Sequence, residues 1–318
     1  MKNRYERNAR KHGAFGLRSE NRLSEKTPTS RRVGFERYFR YLVILPVVAI
    51  IIVFLVMPYA NMFITSVKPF LSAGRTGQGI TFANYQKALT DPYYLRILGV
   101  TMLFGLITTA TCLLLGYPIA HHLAQRETQH KGILYAIILS PLLIGAVVRC
   151  YGWMLLLADK GLINSFLQFI GLGKAKLMYN FFGVWVGLVH IYLPFMVLSL
   201  VGPIQSVDPT WKSAACTLGA SGKRIFWRIT FPLSIPGIIS GSVLVFLLTV
   251  SSYIGPILLG SYSVMVTPML IVQTVLAGVN YPLGAALAFV LVGFVAIVVV
   301  LTFRATDKLL KGVDIYEV

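Results

Sequence analysis

Apolar residues in this chain gather into six long runs, at 41–63, 98–120, 133–157, 181–204, 237–259 and 282–303. Each is long enough for an α-helix rising ~1.5 Å per residue to cross the hydrocarbon interior of a bilayer. None of the six contains Asp or Glu, and only the third contains a Lys or Arg, Arg149. The pattern predicts an all-α integral membrane protein with six transmembrane helices. The first run begins too late and lasts too long for a cleaved signal peptide, so it is expected to persist as a span. Residues 1–40 are polar and basic without a core pattern and are expected to form a disordered tail, with a second tail at 304–318.

Composition agrees with the pattern. The 318 residues are 56% hydrophobic and 13% charged, too little polar surface for a soluble domain of this length. The net charge of +18 is a topology signal once it is sorted by segment. Twelve Lys and Arg precede residue 41, and the alternate segments on that side hold 21 against 7 on the other. The positive-inside rule therefore places both termini in the cytoplasm. A nucleic-acid-binding arm is the poorer account of such a distribution.

Several chemistries are missing. Gly173-Lys174 and Gly222-Lys223 lack the upstream glycine and the Ser or Thr of a phosphate-binding loop. The acidic residues all lie outside the apolar runs, so no intramembrane carboxylate is available for proton or sodium coupling. Cys112, Cys150 and Cys216 have neither ligand spacing nor an even count, which points to no disulfide framework and no metal site. His121 and His122 fall at the inner end of the second run and suit an interfacial role. His190 is expected to be a hydrogen-bonded residue within the bundle. The chain reads as a membrane conduit with no energy source of its own.

The loop between the fourth and fifth runs has a regular pattern. Asp208 followed by Pro209 provides an N-cap acceptor and a proline at the first helical position. Trp211, Ala214, Ala215 and Leu218 then recur at i, i+3, i+4 and i+7, one apolar stripe on a short helix. Gly219 suits the position after the helix, where positive φ is needed. Ser221 is placed to cap a second short helix, with Ile225, Phe226 and Ile229 on one side and Lys223, Arg224 and Arg228 on the other. Pro232 and Pro236 are expected to stop that helix before the fifth span. A basic amphipathic helix resting on anionic lipid has the same periodicity.

The stretch resembles the "EAA" loop of ABC importer permeases: E-A-A, three residues, Gly, nine residues, then I-x-L-P. Ala214, Ala215, Gly219, Ile229 and Pro232 fall on that pattern, while Ser213 stands for the glutamate and Phe231 for the leucine. Beyond the loop, "NYQKALTDPYYLRIL", "RCYGWMLLLADKGLIN" and "NYPLGAALAFVL" are similar to the first permease subunit of spermidine/putrescine-type importers. The resemblance implies the type I ABC importer permease fold, with a domain over 41–303 and a coupling loop over 205–232. It implies that the helix around Trp211 to Gly219 seats in a cytoplasmic ABC ATPase dimer, which binds the ATP and Mg. This chain then carries no cofactor and is no enzyme. Further partners implied are a second six-span permease, an extracytoplasmic solute-binding protein and membrane lipid, with no nucleic acid.

For the pathway, Arg149 is a candidate because a charge near the membrane centre costs about 2.5–3.5 kcal/mol and so faces the bundle or a wet cavity. On a straight third span it would lie ~12 Å from the outer end. It is either a pathway residue or an arginine that snorkels or satisfies bundle carbonyls. Tyr151, Trp153 and Tyr253 offer ring faces to a cation, or anchor at the interface as aromatic-belt residues. The expected solute is a polyamine or related amine. A surface helix near 82–89 in the outer loop is expected to help dock a binding protein. A carrier or channel acting without an ATPase, or a membrane scaffold, are the competing functions.

Overall fold

The computed structural model describes residues 45–46, 48–72, 74–125 and 131–311. The predicted 1–40 tail lies outside them. Two compact units divide at Asn61/Met62. Helix α1 is Val48–Ser66, with a π-helical stretch at Ile52–Val56. A short antiparallel hairpin follows, β1 Phe70–Ser72 and β2 Arg75–Thr76, and then α2, Ala83–Thr90, which is the helix expected near 82–89. Next come α3 Pro92–Gln125, α4 Lys131–Leu143, α5 Ala146–Leu157, α6 Leu162–Phe169 and α7 Phe181–Gln205. The loop pair is α8 Pro209–Thr217 and α9 Gly222–Leu233. The chain finishes with α10 Ile235–Val250, α11 Ile254–Leu259, α12 Thr267–Leu276 and α13 Tyr281–Lys311.

Helices α1, α3, α7 and α13 are each long and apolar enough to cross a membrane. Two further crossings are available as bent pairs, α4 with α5–α6 and α9 with α10, giving up to six among the described residues. Three expectations need correction. The third apolar run is broken at Ile144 and Gly145, where the chain turns by 97°. Pro141 and Gly145 lie at that point, and each weakens an α-helix. The fifth run ends as a helix at Val250, and residues 254–259 form the separate α11. Finally, the segment expected as a tail from residue 304 starts as helix, since 304–311 continue α13.

The centre of the bundle is α3, α7 and α10. Phe104 stacks on Phe181 with centroids 4.2 Å apart, and Cys112 Sγ reaches Val189 O at 3.6 Å. Both pairs are 77 residues apart in sequence, so α3 and α7 run in the same direction. The segment between them must return the chain to its starting side. Helix α10 runs against both, since Gly241 meets Met196 and Ser199 while Gly237 meets Pro203. In a bilayer the hydrophobic effect does not drive such contacts; close backbone approach through small residues does. Gly105 shows the requirement, because a Cβ there would lie 2.6 Å from Phe246 and 2.7 Å from Val250.

At the end where α3 and α7 begin, polar side chains hold the irregular segments. Asn180 Oδ1 accepts from Gly183 N at 2.9 Å and caps α7. Fully buried Asn164 donates to Ala158 O and accepts from Ala175 N, closing the α6 segment on itself. Buried Thr101 of α3 accepts from Thr267 N at 2.8 Å, serving as an external cap for α12.

Gly105→Val should overpack the α3–α10 contact and cost about 1–3 kcal/mol. The check is a lowered thermal midpoint of the purified protein in detergent; an unchanged midpoint would contradict this packing.

Candidate functional site

The loop between α7 and α10 is built by local rules. Asp208 Oδ1 accepts from Thr210 N at 2.8 Å, with Pro209 opening α8. The Thr210 hydroxyl and then its N–H hold the Asp208 carboxyl below the usual carboxylate range. At the other end Gly219 has φ +78°, its N–H bonds Cys216 O at 2.9 Å, and Ala220 N bonds Ala215 O at 3.0 Å. That double closure is the Schellman arrangement, which favours glycine at its left-handed position.

Between these caps the apolar stripe is uncovered. Trp211 is 61% exposed and Leu218 87% exposed, with Ala214 exposed and Ala215 partly so. Ser213 donates to Pro209 O at 3.1 Å and its carbonyl takes the Thr217 hydroxyl at 3.0 Å. Its hydroxyl is spent along the helix and places no charge where the family motif has one. Beside it, partial burial pushes the Lys212 ammonium below its ordinary value.

Helix α9 departs from expectation. Ser221 occupies the N-cap position, but its side chain makes no capping bond; its carbonyl accepts from Arg224 N and Ile225 N. The helix does stop before the fifth span, ending at Leu233 between Pro232 and Pro236, but Pro232 itself lies inside it. A π-helical turn at Phe226–Thr230 shifts the register, so that Pro232 falls in the first turn of a new α-segment, where no N–H is required. The break comes at Ser234, with a bend of 59° into α10. Ile225 is buried and Phe226 and Ile229 are half-buried, while Lys223, Arg224, Trp227 and Arg228 are exposed.

Of the residues singled out for a pathway, Arg149, Tyr151 and Trp153 lie on α5, which packs against α11, the helix that Tyr253 precedes. Arg149 is half-buried on α5, and its Nη1 donates to Ile191 O of α7 at 3.2 Å. Its Nε is buried without an acceptor among the described residues. The guanidinium therefore takes up a bundle carbonyl, and the break at Gly145 removes the straight-helix measure of its depth. Trp153, one turn further on, meets His190 edge-on at 5.6 Å. Tyr151 is 53% exposed, and Tyr253, at the N-cap of α11, lines a cavity of about 210 Å3. His190 is also a correction, since its Nδ1 is buried with no partner among the described residues. Sequence reasoning left out the His190–Trp153 contact, because nothing local signals which helices meet.

Where α3 and α7 begin, a cavity of about 580 Å3 is lined by Tyr93, Arg96, Tyr179, Phe181 and Tyr262 among others. Next to it, Asp159, Lys174 and Lys176 line a second of about 600 Å3.

No family model matches the chain. Curated relatives do. The spermidine/putrescine transport system permease protein PotB of Salmonella typhimurium strain SL1344 is 32% identical over 279 residues, which is 87% of this chain and 96% of that protein. PotB of Escherichia coli K12 is 32% identical over 275 residues, 86% and 99% of the two chains. Among solved structures, a bacterial alginate ABC transporter in complex with an alginate pentasaccharide-bound periplasmic protein contains a similar chain. It aligns with TM-score 0.72 at 18% identity, over 87% of this chain and 97% of that one, a likeness of fold. With this identity across nearly the full length of the relatives, and 30% identity over 238 residues to the inner membrane ABC transporter permease protein YdcU of Escherichia coli K12, the chain belongs to the spermidine/putrescine-type permeases of ABC importers, proteins of the inner membrane.

Proposed function

We propose that this chain is a six-span, non-catalytic permease subunit of a binding-protein-dependent importer, with both termini in the cytoplasm. The bent pairs α4–α5 and α9–α10 each count as one span. This reading puts 1–40 in a cytoplasmic tail, the spans within 41–303 and the coupling loop at 205–232. One observation carries it: α8 is capped at both ends and presents Trp211, Ala214, Ala215 and Leu218 uncovered. A stiff helix with a bare apolar stripe on a loop of an integral membrane protein fits insertion into the groove of another protein.

The occupant is a cytoplasmic ABC ATPase dimer, which binds ATP and Mg. A single α8 fills one of two equivalent seats, so a second permease supplies the other. Closure of the dimer on ATP draws the two seats together, and the permeases exchange inward- and outward-open states. Ser213 in place of a carboxylate leaves this seat to apolar contact and shape. On the opposite side of the membrane, α2 and the cavity bearing Tyr93 and Tyr262 face a solute-binding protein, a reading supported by the alginate ABC transporter, whose structure includes a periplasmic protein.

The solute is a polyamine, a reading supported by the PotB relatives. The spans hold no carboxylate to select a polycation. Selection therefore rests with the binding protein, and the permease supplies the path.

Three outcomes are expected. Gly219→Val forces a β-branched residue into left-handed backbone at a cost of roughly 1–2 kcal/mol, so the complex assembles and hydrolyses ATP but imports little. Normal uptake by that variant would defeat the coupling assignment. Asp208→Asn should keep the α8 cap and Asp208→Ala should fray it, read as faster hydrogen exchange at the Thr210 and Trp211 amides. Because the folded carboxyl titrates below its ordinary range, the cap's contribution is present above about pH 4 and is lost as pH falls through the lowered value. Transport at neutral pH is then independent of Asp208 ionisation. For the solute, cells expressing the complete importer should take up radiolabelled spermidine or putrescine in an ATP-dependent manner; uptake of neither would refute the polyamine assignment.

A further inference from the structure

Helix α9 is fastened to the membrane bundle by a cluster of rings. Tyr117 and His121, one turn apart near the end of α3, face Phe226 of α9 at 5.8 Å and 5.3 Å, both near perpendicular. Phe231 closes the cluster at 5.8 Å from Tyr117 and 6.2 Å from Phe226. Such edge-to-face and tilted pairs fix relative orientation as well as distance.

A hydrogen bond locks the cluster. Tyr117 Oη lies 2.9 Å from Oγ of Ser234, which is fully buried. Ser234 Oγ also bonds Phe231 O at 2.7 Å. A serine hydroxyl has one hydrogen, which the carbonyl takes, so Tyr117 donates to Ser234.

Both helices are weak at the point where they are joined. Ser234 is the bend between α9 and α10. On the other side Pro118, next to Tyr117, lies inside α3 and removes the N–H that would bond the carbonyl of Leu114. Above this level α3 packs continuously against α7 and α10 through Gly116, Cys112 and Gly105. A ring cluster tied to two flexure points, with a stiff bundle beyond, has the form of a mechanical joint.

We propose that Tyr117, Phe226, Phe231 and Ser234 form the joint that carries displacement of α8–α9 into α3, as positioning residues of the transport cycle. The proposal rests on the reading of α8 as the ATPase seat. When α8 is drawn inward, α9 moves with it across Gly219. The rings transmit that tilt to α3 near Pro118, and the outer end of α3 at Tyr93 responds.

The test uses the complete importer in lipid nanodiscs, carrying Tyr93→Cys at the outer end of α3. The rate of labelling by a membrane-impermeant maleimide is measured with and without ATP and vanadate. A nucleotide-dependent change in rate is expected, and it should shrink by at least about fivefold in Phe226→Ala, the low end of ordinary coupling between sites. Phe226→Tyr, which restores the ring, should restore the change. Tyr117→Phe keeps the packing and removes only the locking bond, while Ser234→Ala removes it together with the bond to Phe231 O, so each should lose part of the change. If Phe226→Ala fails to assemble, these two variants decide, and an unaltered change in both overturns the joint. So does a parent protein in which Tyr93→Cys shows no nucleotide dependence. Crosslinking from native Cys216, exposed on α8, to the ATPase separates the two readings. Its absence in the parent sinks the seat itself, whereas its presence together with a full response in Phe226→Ala sinks the joint alone.

Discussion

Hydrocarbon offers a backbone amide nothing to bond, so every N–H and C=O at membrane depth must find a partner within the protein. That constraint explains why the described residues are mostly helical, and it decides where helices break. At Ser234 the amide bonds both Thr230 O and Phe231 O. Past Val250, Ser251 N returns to Leu247 O and Ser252 N to Thr249 O. Where α12 starts without a cap of its own, Thr101 of α3 provides one. Each of these interruptions is closed by a hydrogen bond within the protein.

The same constraint shapes the centre. Because apolar area gives little reason for helices to associate in lipid, α3, α7 and α10 meet through backbone approach at Gly105, Gly116 and Gly241. Two helices running the same way through so close a contact move as one body. In the proposed coupling the loop helices act on this block, and Gly219, Ser234 and Pro118 mark interruptions or weak points along the connection.

What the sequence made legible follows from range. Asp208, Pro209 and Gly219 could be read in advance because caps depend on residues a few positions apart, and all three sit where local rules put them. Helix α2 and the six apolar runs were visible for the same reason. The turn of 97° inside the third run was marked by Pro141 and Gly145, but hydropathy averages over both. Pro232 and Pro236 bracket the stop at Ser234, while the π-turn that places Pro232 inside the helix had no local signal. The Arg149–Ile191 bond, the Trp153–His190 contact and the ring cluster join residues 37 to 117 positions apart. No periodicity within one helix announces such a meeting.

The shared direction of α3 and α7 also has an electrostatic result. Their first turns, at Pro92 and Phe181, open beside the same cavity, where Arg96 adds a full charge. Each helix start carries roughly half a positive charge from its aligned peptide dipoles, and a low-dielectric rim holds that potential in place. In the proposed orientation this is the outer mouth. The Asp91 carboxylate, accepting from Tyr93 N at 2.9 Å, and Asp159 in the adjoining cavity stand against that charge, so the rim carries both signs.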